Sequence, residues 1–105
     1  MEILEKFKVL IDEHFIKEHD IAFYERQLEI KPKYLSKLSK KLNVPPPCQI
    51  LLEKQINHTK NLLTSTKKTI KEIAYEMNFQ DPYYFSRVFK NKTGFSPTKY
   101  RQIHK

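Results

Sequence analysis

A single glycine, Gly94, serves all 105 residues of the chain. Tight hairpin turns and phosphate-cradling loops draw on glycine for positive φ and close backbone approach, so a chain with one such residue is predicted to be built from helices. The apolar spacing agrees: Ile3, Leu4, Phe7, Leu10, Ile11 and Phe15 recur at intervals of three and four, which places them on one helix face. Asp20 is a cap for a second helix carrying Ile21, Tyr24 and Leu28, and Pro32 suits the first turn of a third carrying Leu35, Leu38 and Leu42. Pro45, Pro46 and Pro47 end that helix and open a fourth, the longest, whose Leu52, Ile56, Thr59 and Leu63 follow a helical row. Thr69 and Glu72 stand in the capping-box relation ahead of Ile70, Ile73, Ala74 and Met77. Asp81 with Pro82 starts a sixth helix through Phe85, Val88 and Phe89, for which Gly94 supplies the left-handed cap; Ser96 with Pro97 starts a seventh. The expectation is an all-α fold of about seven helices.

The length suits one domain with a modest core, residues 1–105. Twenty Lys and Arg against twelve Asp and Glu give a formal charge of +8, which favours a polyanionic partner, either nucleic acid or an anionic membrane surface. No apolar run is long enough to span a bilayer and no lipidation signal is present, so a soluble, cytoplasmic protein without a membrane role is expected. Cys48 has no second cysteine for a disulfide and no Cys-x-x-Cys partner. His14, His19, His58 and His104 are scattered without ligand spacing, and no nucleophile and base, paired acids or phosphate loop stands out. No enzyme, cofactor or metal is predicted.

An internal repeat carries more. Tyr34-Leu35-Ser36-Lys37-Leu38 recurs as Tyr84-Phe85-Ser86-Arg87-Val88 at a constant offset of 50, and Lys40 and Lys90 continue it. Ahead of each copy lie a short helix and a tight turn, so each half reads as helix-turn-helix, the motif that presents its second helix to a DNA major groove. The two units are predicted over 1–45 and 67–105, with a linking helix over 46–66. From Pro47 to Leu63 that helix would run about 25 Å at ~1.5 Å per residue, compatible with two reading heads about one DNA turn (~34 Å) apart once the width of the units is added.

These residues resemble the DNA-binding domain of the AraC/XylS-type transcription regulators, two helix-turn-helix units joined by a long helix. The resemblance covers nearly the whole chain. It is most specific in Ile73-Ala74, Phe79-Gln80-Asp81-Pro82, Tyr84 through Lys90, Thr93-Gly94, and Ser96-Pro97 through Tyr100-Arg101. The first unit departs from the pattern: Glu25 occupies the common alanine position, Val44 the usual glycine, Gln55 a typical arginine, and Ser39 a position often held by a core Phe. In the second unit Asn78 replaces a glycine, a substitution the left-handed region tolerates. The resemblance implies that Pro82, Tyr83, Ser86, Arg87 and Lys90, and by the repeat Pro32, Lys33, Ser36, Lys37 and Lys40, face bases and phosphates of promoter DNA. It also implies a separate sensing or dimerisation domain, for which this chain has no room, so a fragment or a short family member is expected.

Each of these residues has a plainer reading. Arg87 can bridge guanine O6 and N7 or clamp a phosphate, or else pair with a carboxylate such as Glu76. Lys37 offers a point charge in place of a planar fork. Tyr83 and Lys33 precede tyrosines taken as buried and can reach a base edge or stay solvated. Ser36 and Ser86 can bond a base or phosphate, or fold back on their own helix. Lys67, Lys68 and Lys71 flank a helix start that favours phosphate, or form a solvated face. Tyr24, Phe79, Phe85, Phe89 and Phe95 are assigned to the core. The competing reading of the whole chain is a basic module that docks an acidic protein such as RNA polymerase.

Overall fold

In four of the seven helices a side-chain oxygen one residue ahead of the helix takes up a backbone amide of the first turn. Asp20 accepts from the Ala22 amide (3.0 Å), Thr69 from Glu72 (3.0 Å), Asp81 from Tyr83 (2.9 Å) and Ser96 from Lys99 (3.2 Å). The computed structural model describes residues 2–104. Over these the elements are α1 (Ile3–His14), α2 (Ile21–Gln27), α3 (Tyr34–Leu42), α4 (Pro47–Ser65), α5 (Ile70–Glu76), α6 (Pro82–Thr93) and α7 (Pro97–Ile103). No strand occurs among the described residues, and no helix is long and apolar enough to cross a membrane.

Two compact units divide the chain inside α4, Met1–Lys54 and Gln55–Lys105. In the first, α1 packs on α2. Phe7 is fully buried and meets Tyr24 edge-on at 5.6 Å, and Phe23 closes on the same ring at 5.2 Å. The Tyr24 hydroxyl donates to the Glu18 carbonyl (2.8 Å). Burial pushes its pKa up to about 12, with the Glu18 charge adding to the effect. Ile11, Leu35 and Leu51 complete this core. In the second unit Ile73, Ala74 and Met77 of α5 and Phe85 and Phe89 of α6 are buried with Ile56 and Leu63 of α4. α2 and α5 have seven residues each, too short to persist alone, so their stability comes from these packed faces.

Three sequence expectations change. Pro32 lies two residues before α3, outside the helix. The connection from Ile30 to Tyr34 is one residue shorter than its counterpart from Phe79 to Tyr84, and it holds no equivalent of the Asp81 cap. A turn closes there instead, with the Tyr34 amide donating to the Lys31 carbonyl (3.1 Å) and Lys33 at φ 68°. At the other end of α3, Asn43 takes the left-handed cap at φ 57°, one residue ahead of Val44. A β-branched side chain clashes in that conformation and Asn does not, so the helix stops where Asn stands. Phe95, assigned to the core, is 42% exposed just beyond the end of α6.

Candidate nucleic-acid interface

Helical geometry sorts α6 into two faces. Phe85 and Phe89, four residues apart, turn inward; Tyr83, Arg87 and Lys90, at spacings of four and three, share the opposite side. Tyr83 is 84% exposed, Arg87 and Lys90 are exposed, and Ser86 and Pro82 are half-buried at the edge of the stripe. The same logic in α3 buries Leu35 and Ser39 and leaves Ser36, Lys37 and Lys40 in solvent. Pro32 and Lys33 are exposed but sit in the turn ahead of α3, so they stand off the helical row that Lys37 and Lys40 define.

The plainer readings of several residues are not realised. Glu76, the carboxylate offered as a partner for Arg87, is held by Lys68 through both oxygens (2.8 and 2.9 Å). Among the described residues no ion pair engages Arg87, Lys90, Lys33, Lys37 or Lys40. Ser39, Thr59, Thr64, Ser65, Thr66 and Thr93 all donate to the carbonyl four residues back. Ser36 and Ser86 make no such bond among the described residues, so both hydroxyls remain available on the exposed helix faces.

Tyr34 and Tyr84, expected to be buried, are 43% and 56% exposed. Tyr84 lies about 100° around the helix from Phe85, which turns it to the flank of the core, where its ring meets that of Phe79 at 6.2 Å, tilted by 42°. Their recurrence at the repeat offset beside solvent-facing residues was the signal that could have placed them at the surface.

The entry to α3 is built by a residue the sequence pattern marked only as a departure. Glu25 is buried on α2, and its Oε2 accepts from the Lys33 amide at 2.8 Å. The carboxylate thus caps α3 from the preceding helix by taking the amide of the residue at its entry, the task that Glu72 performs for the Thr69 amide at the start of α5. Arg101 performs a comparable service at the far end of α4. Its Nε donates to the Leu63 carbonyl (2.9 Å) and its Nη2 to that of Thr66 (3.4 Å), tying α7 to carbonyls that have no helical partner. Two of the amides at the start of α5 are already occupied. Thr69 and Glu72 cap each other, and the backbone hydrogen bond from Thr69, followed by its side-chain bond, holds the Glu72 carboxyl below the usual carboxylate range. Lys68 is committed to Glu76, which leaves Lys67 and Lys71 as the exposed cations there.

Charge is divided unevenly. The first unit holds ten Lys and Arg against nine Asp and Glu, a net of +1; the second holds ten against three, a net of +7. Within the first unit residues 31–42 carry five lysines and no acid, whereas residues 1–30 carry four bases and eight acids. The basic helix α3 therefore belongs to an otherwise acidic unit, and α6 to one that is strongly basic on balance.

A family model described as a helix-turn-helix domain matches residues 24–103. The arabinose operon regulatory protein of Salmonella typhimurium is 34% identical over 92 residues, 88% of this chain and 31% of that protein. The chain spans about a third of the length of such curated relatives. Among solved structures, the C-terminal domain of AraT, a response regulator from Geobacillus stearothermophilus, superposes with a TM-score of 0.86 at 28% identity over 98% of this chain and 86% of that one. The DNA-binding domain of AdpA, solved in complex with a target DNA, shares the fold with a TM-score of 0.85 at 19% identity, over 98% and 93% of the two chains.

Proposed function

Since the chain belongs to the AraC/XylS-type helix-turn-helix family, we propose that it is a sequence-specific reader of double-stranded promoter DNA, with α3 and α6 as its two recognition helices. The observation that carries this reading is the solvent face of α6. Arg87 and Lys90 are exposed and unpaired beside Tyr83 and Ser86, on a helix anchored from below by Phe85 and Phe89. A guanidinium fork free of carboxylates matches guanine O6 and N7 or a phosphate. Ser36, Lys37 and Lys40 repeat the arrangement on α3, with Lys33 at its entry. Pro82 contributes by opening α6 at the surface, and Pro32 by shaping the turn before α3. In this reading the two helices enter adjacent major-groove segments, phosphate contacts supply salt-sensitive affinity, and the protein acts in the bacterial cytoplasm by binding, without turnover.

Selection of bound duplexes from a random pool tests the proposal. A recurring sequence that competes well against random DNA at moderate salt is the expected result; uniform recovery of every duplex would overturn it. A second contact is supported by basic residues outside both recognition helices, Lys60 on α4 and Lys99 on α7. They suit an acidic protein surface such as that of RNA polymerase. Alanine substitutions there would reduce transcriptional output while leaving duplex affinity close to that of the parent chain.

A further inference from the structure

The two recognition helices are chemically unequal, and the inequality runs through every level of the molecule. On α6 the exposed face holds Arg87, whose planar fork distinguishes base edges, together with Tyr83, Ser86 and the amide side chain of Asn91. Residues 31–42 contain no Arg, Asn, Gln, Asp or Glu. The exposed polar groups of α3 are lysine ammoniums and the hydroxyls of Ser36 and Tyr34, which contact phosphates or bases of several kinds with little discrimination. The backbone agrees with the side chains. α6 runs for twelve residues between Asp81 and Gly94, and α3 for nine residues between two left-handed non-glycine residues, Lys33 and Asn43. The electrostatic division agrees as well, since the second unit carries +7 of the +8 net charge and the first unit is positive only around α3.

We infer that the two units divide the work unequally: α6 carries the base discrimination and its unit most of the general attraction to DNA, whereas α3 clamps backbone phosphates with little sequence preference. The preferred duplex then holds one sharply defined element and one permissive one. The acids of residues 1–30 give the first unit a direction, because a polyanion repels them while it attracts Lys37 and Lys40. The second unit, with ten cations against three acids, is strongly basic on balance and captures duplex first. This inference rests on the DNA-binding reading above.

The test uses the whole chain and two double variants at exposed positions, Arg87→Ala with Lys90→Ala and Lys37→Ala with Lys40→Ala. Each is taken through duplex selection and a salt titration of affinity. The Arg87 variant is expected to flatten the defined element, losing roughly 10- to 100-fold on the selected duplex and much less on random DNA. The lysine variant is expected to weaken all duplexes by a common factor, to reduce the slope of log affinity against log salt by about 2, and to select the same sequence. A lysine variant that selects a different sequence, or an Arg87 variant that weakens every duplex alike, overturns the division of labour while leaving DNA binding intact. A parent chain that binds no duplex overturns the DNA-binding reading, and this inference with it.

Discussion

The two helix-turn-helix units reach the same local architecture by different chemistry. In the second unit the entries to α5 and α6 and the end of α6 are secured by residues within three positions of one another: a reciprocal cap at Thr69 and Glu72, a proline behind Asp81, a glycine at the end of α6. In the first unit Asp20 caps α2 locally, but the entry and the end of α3 are secured at a distance or by a substitute. Glu25 reaches eight residues forward to the Lys33 amide, and Asn43 stands in for glycine. Even the turn residue that precedes each connection differs, with Glu29 at φ 56° in one unit and Asn78 at φ 63° in the other. A left-handed Glu is the more strained of the two, since Asn is among the few non-glycine residues that enter this region readily. The comparison teaches that a helix-turn-helix can be held by a string of local signals or by a few buried tertiary contacts, and that the second route leaves a shorter recognition helix.

The core beneath each recognition helix offers the sharpest way to break this comparison. Phe89→Ala empties a fully buried site against the Tyr100 ring at 5.5 Å and is expected to cost about 3–5 kcal/mol; Leu35→Ala removes the equivalent support under α3 at about 2–5 kcal/mol. Urea melts followed by amide exchange read both. Phe89→Ala should raise exchange first in α5 and α6, and Leu35→Ala first in α2 and α3. Equal loosening of all four helices by either substitution would mean that the units do not stand as separate cooperative structures.

A smaller effect sharpens the comparison at the helix entries. Glu25→Ala leaves the Lys33 amide without its acceptor and is expected to destabilise by about 1–3 kcal/mol, because the buried carboxylate is the designated partner of that donor. Asp81→Ala, at an exposed local cap, is expected to cost about 1 kcal/mol. Glu25→Gln keeps an acceptor oxygen and should recover most of the loss. If Glu25→Ala melted like the parent chain, the capping of α3 from the preceding helix would be ornamental.

What could be read from the sequence follows the same division. Asp20, the Thr69 and Glu72 pair, Asp81-Pro82 and Ser96-Pro97 all act within three residues of themselves, so their spacing alone places four helix starts. The Lys37 and Arg87 faces were legible for a related reason: the apolar rows that begin at Leu35 and Leu38 and at Phe85, Val88 and Phe89 set the phase of each helix, although Leu42, counted in the first row, is exposed and Ser39 is buried in its place. Contacts that span the chain were not legible. Arg101 grips carbonyls 38 and 35 residues away, and nothing in its local sequence separates it from a solvated arginine. Glu25 was visible only as a misfit, because its partner is a backbone amide that carries no side-chain signature. Tyr34 and Tyr84 misled because an aromatic residue beside a buried one counts equally well toward a core face or its rim, and only the packed structure decides.

The smallest expected effect separates the units by pH, and each fails at the opposite end of the scale. Tyr24 belongs to the first unit, and Ile73 stands at the equivalent place in the second. Its folded pKa of about 12 lies above the ordinary phenol value near 10, so the unfolded chain releases the proton first. The stability tied to the neutral phenol is complete below pH about 10 and is lost as pH rises toward about 12. Glu72 belongs to the second unit, and Phe23 occupies the matching third position of α2. Its folded pKa is lowered by the Thr69 hydrogen bonds, so its contribution is present above the ordinary carboxylate range and disappears as pH falls through the lowered value. Glu72 is exposed, and solvent screening keeps this contribution small. Amide exchange measured at acid and alkaline pH should therefore open α5 before α2 in acid and α2 before α5 in base. Tyr24→Phe should remove the alkaline difference, and Glu72→Gln, which retains an acceptor for the Thr69 amide but no charge, should remove the acid one. If the order of opening were the same at both extremes, these two groups would be passengers, and the contrast between the units would rest on their caps and cores alone.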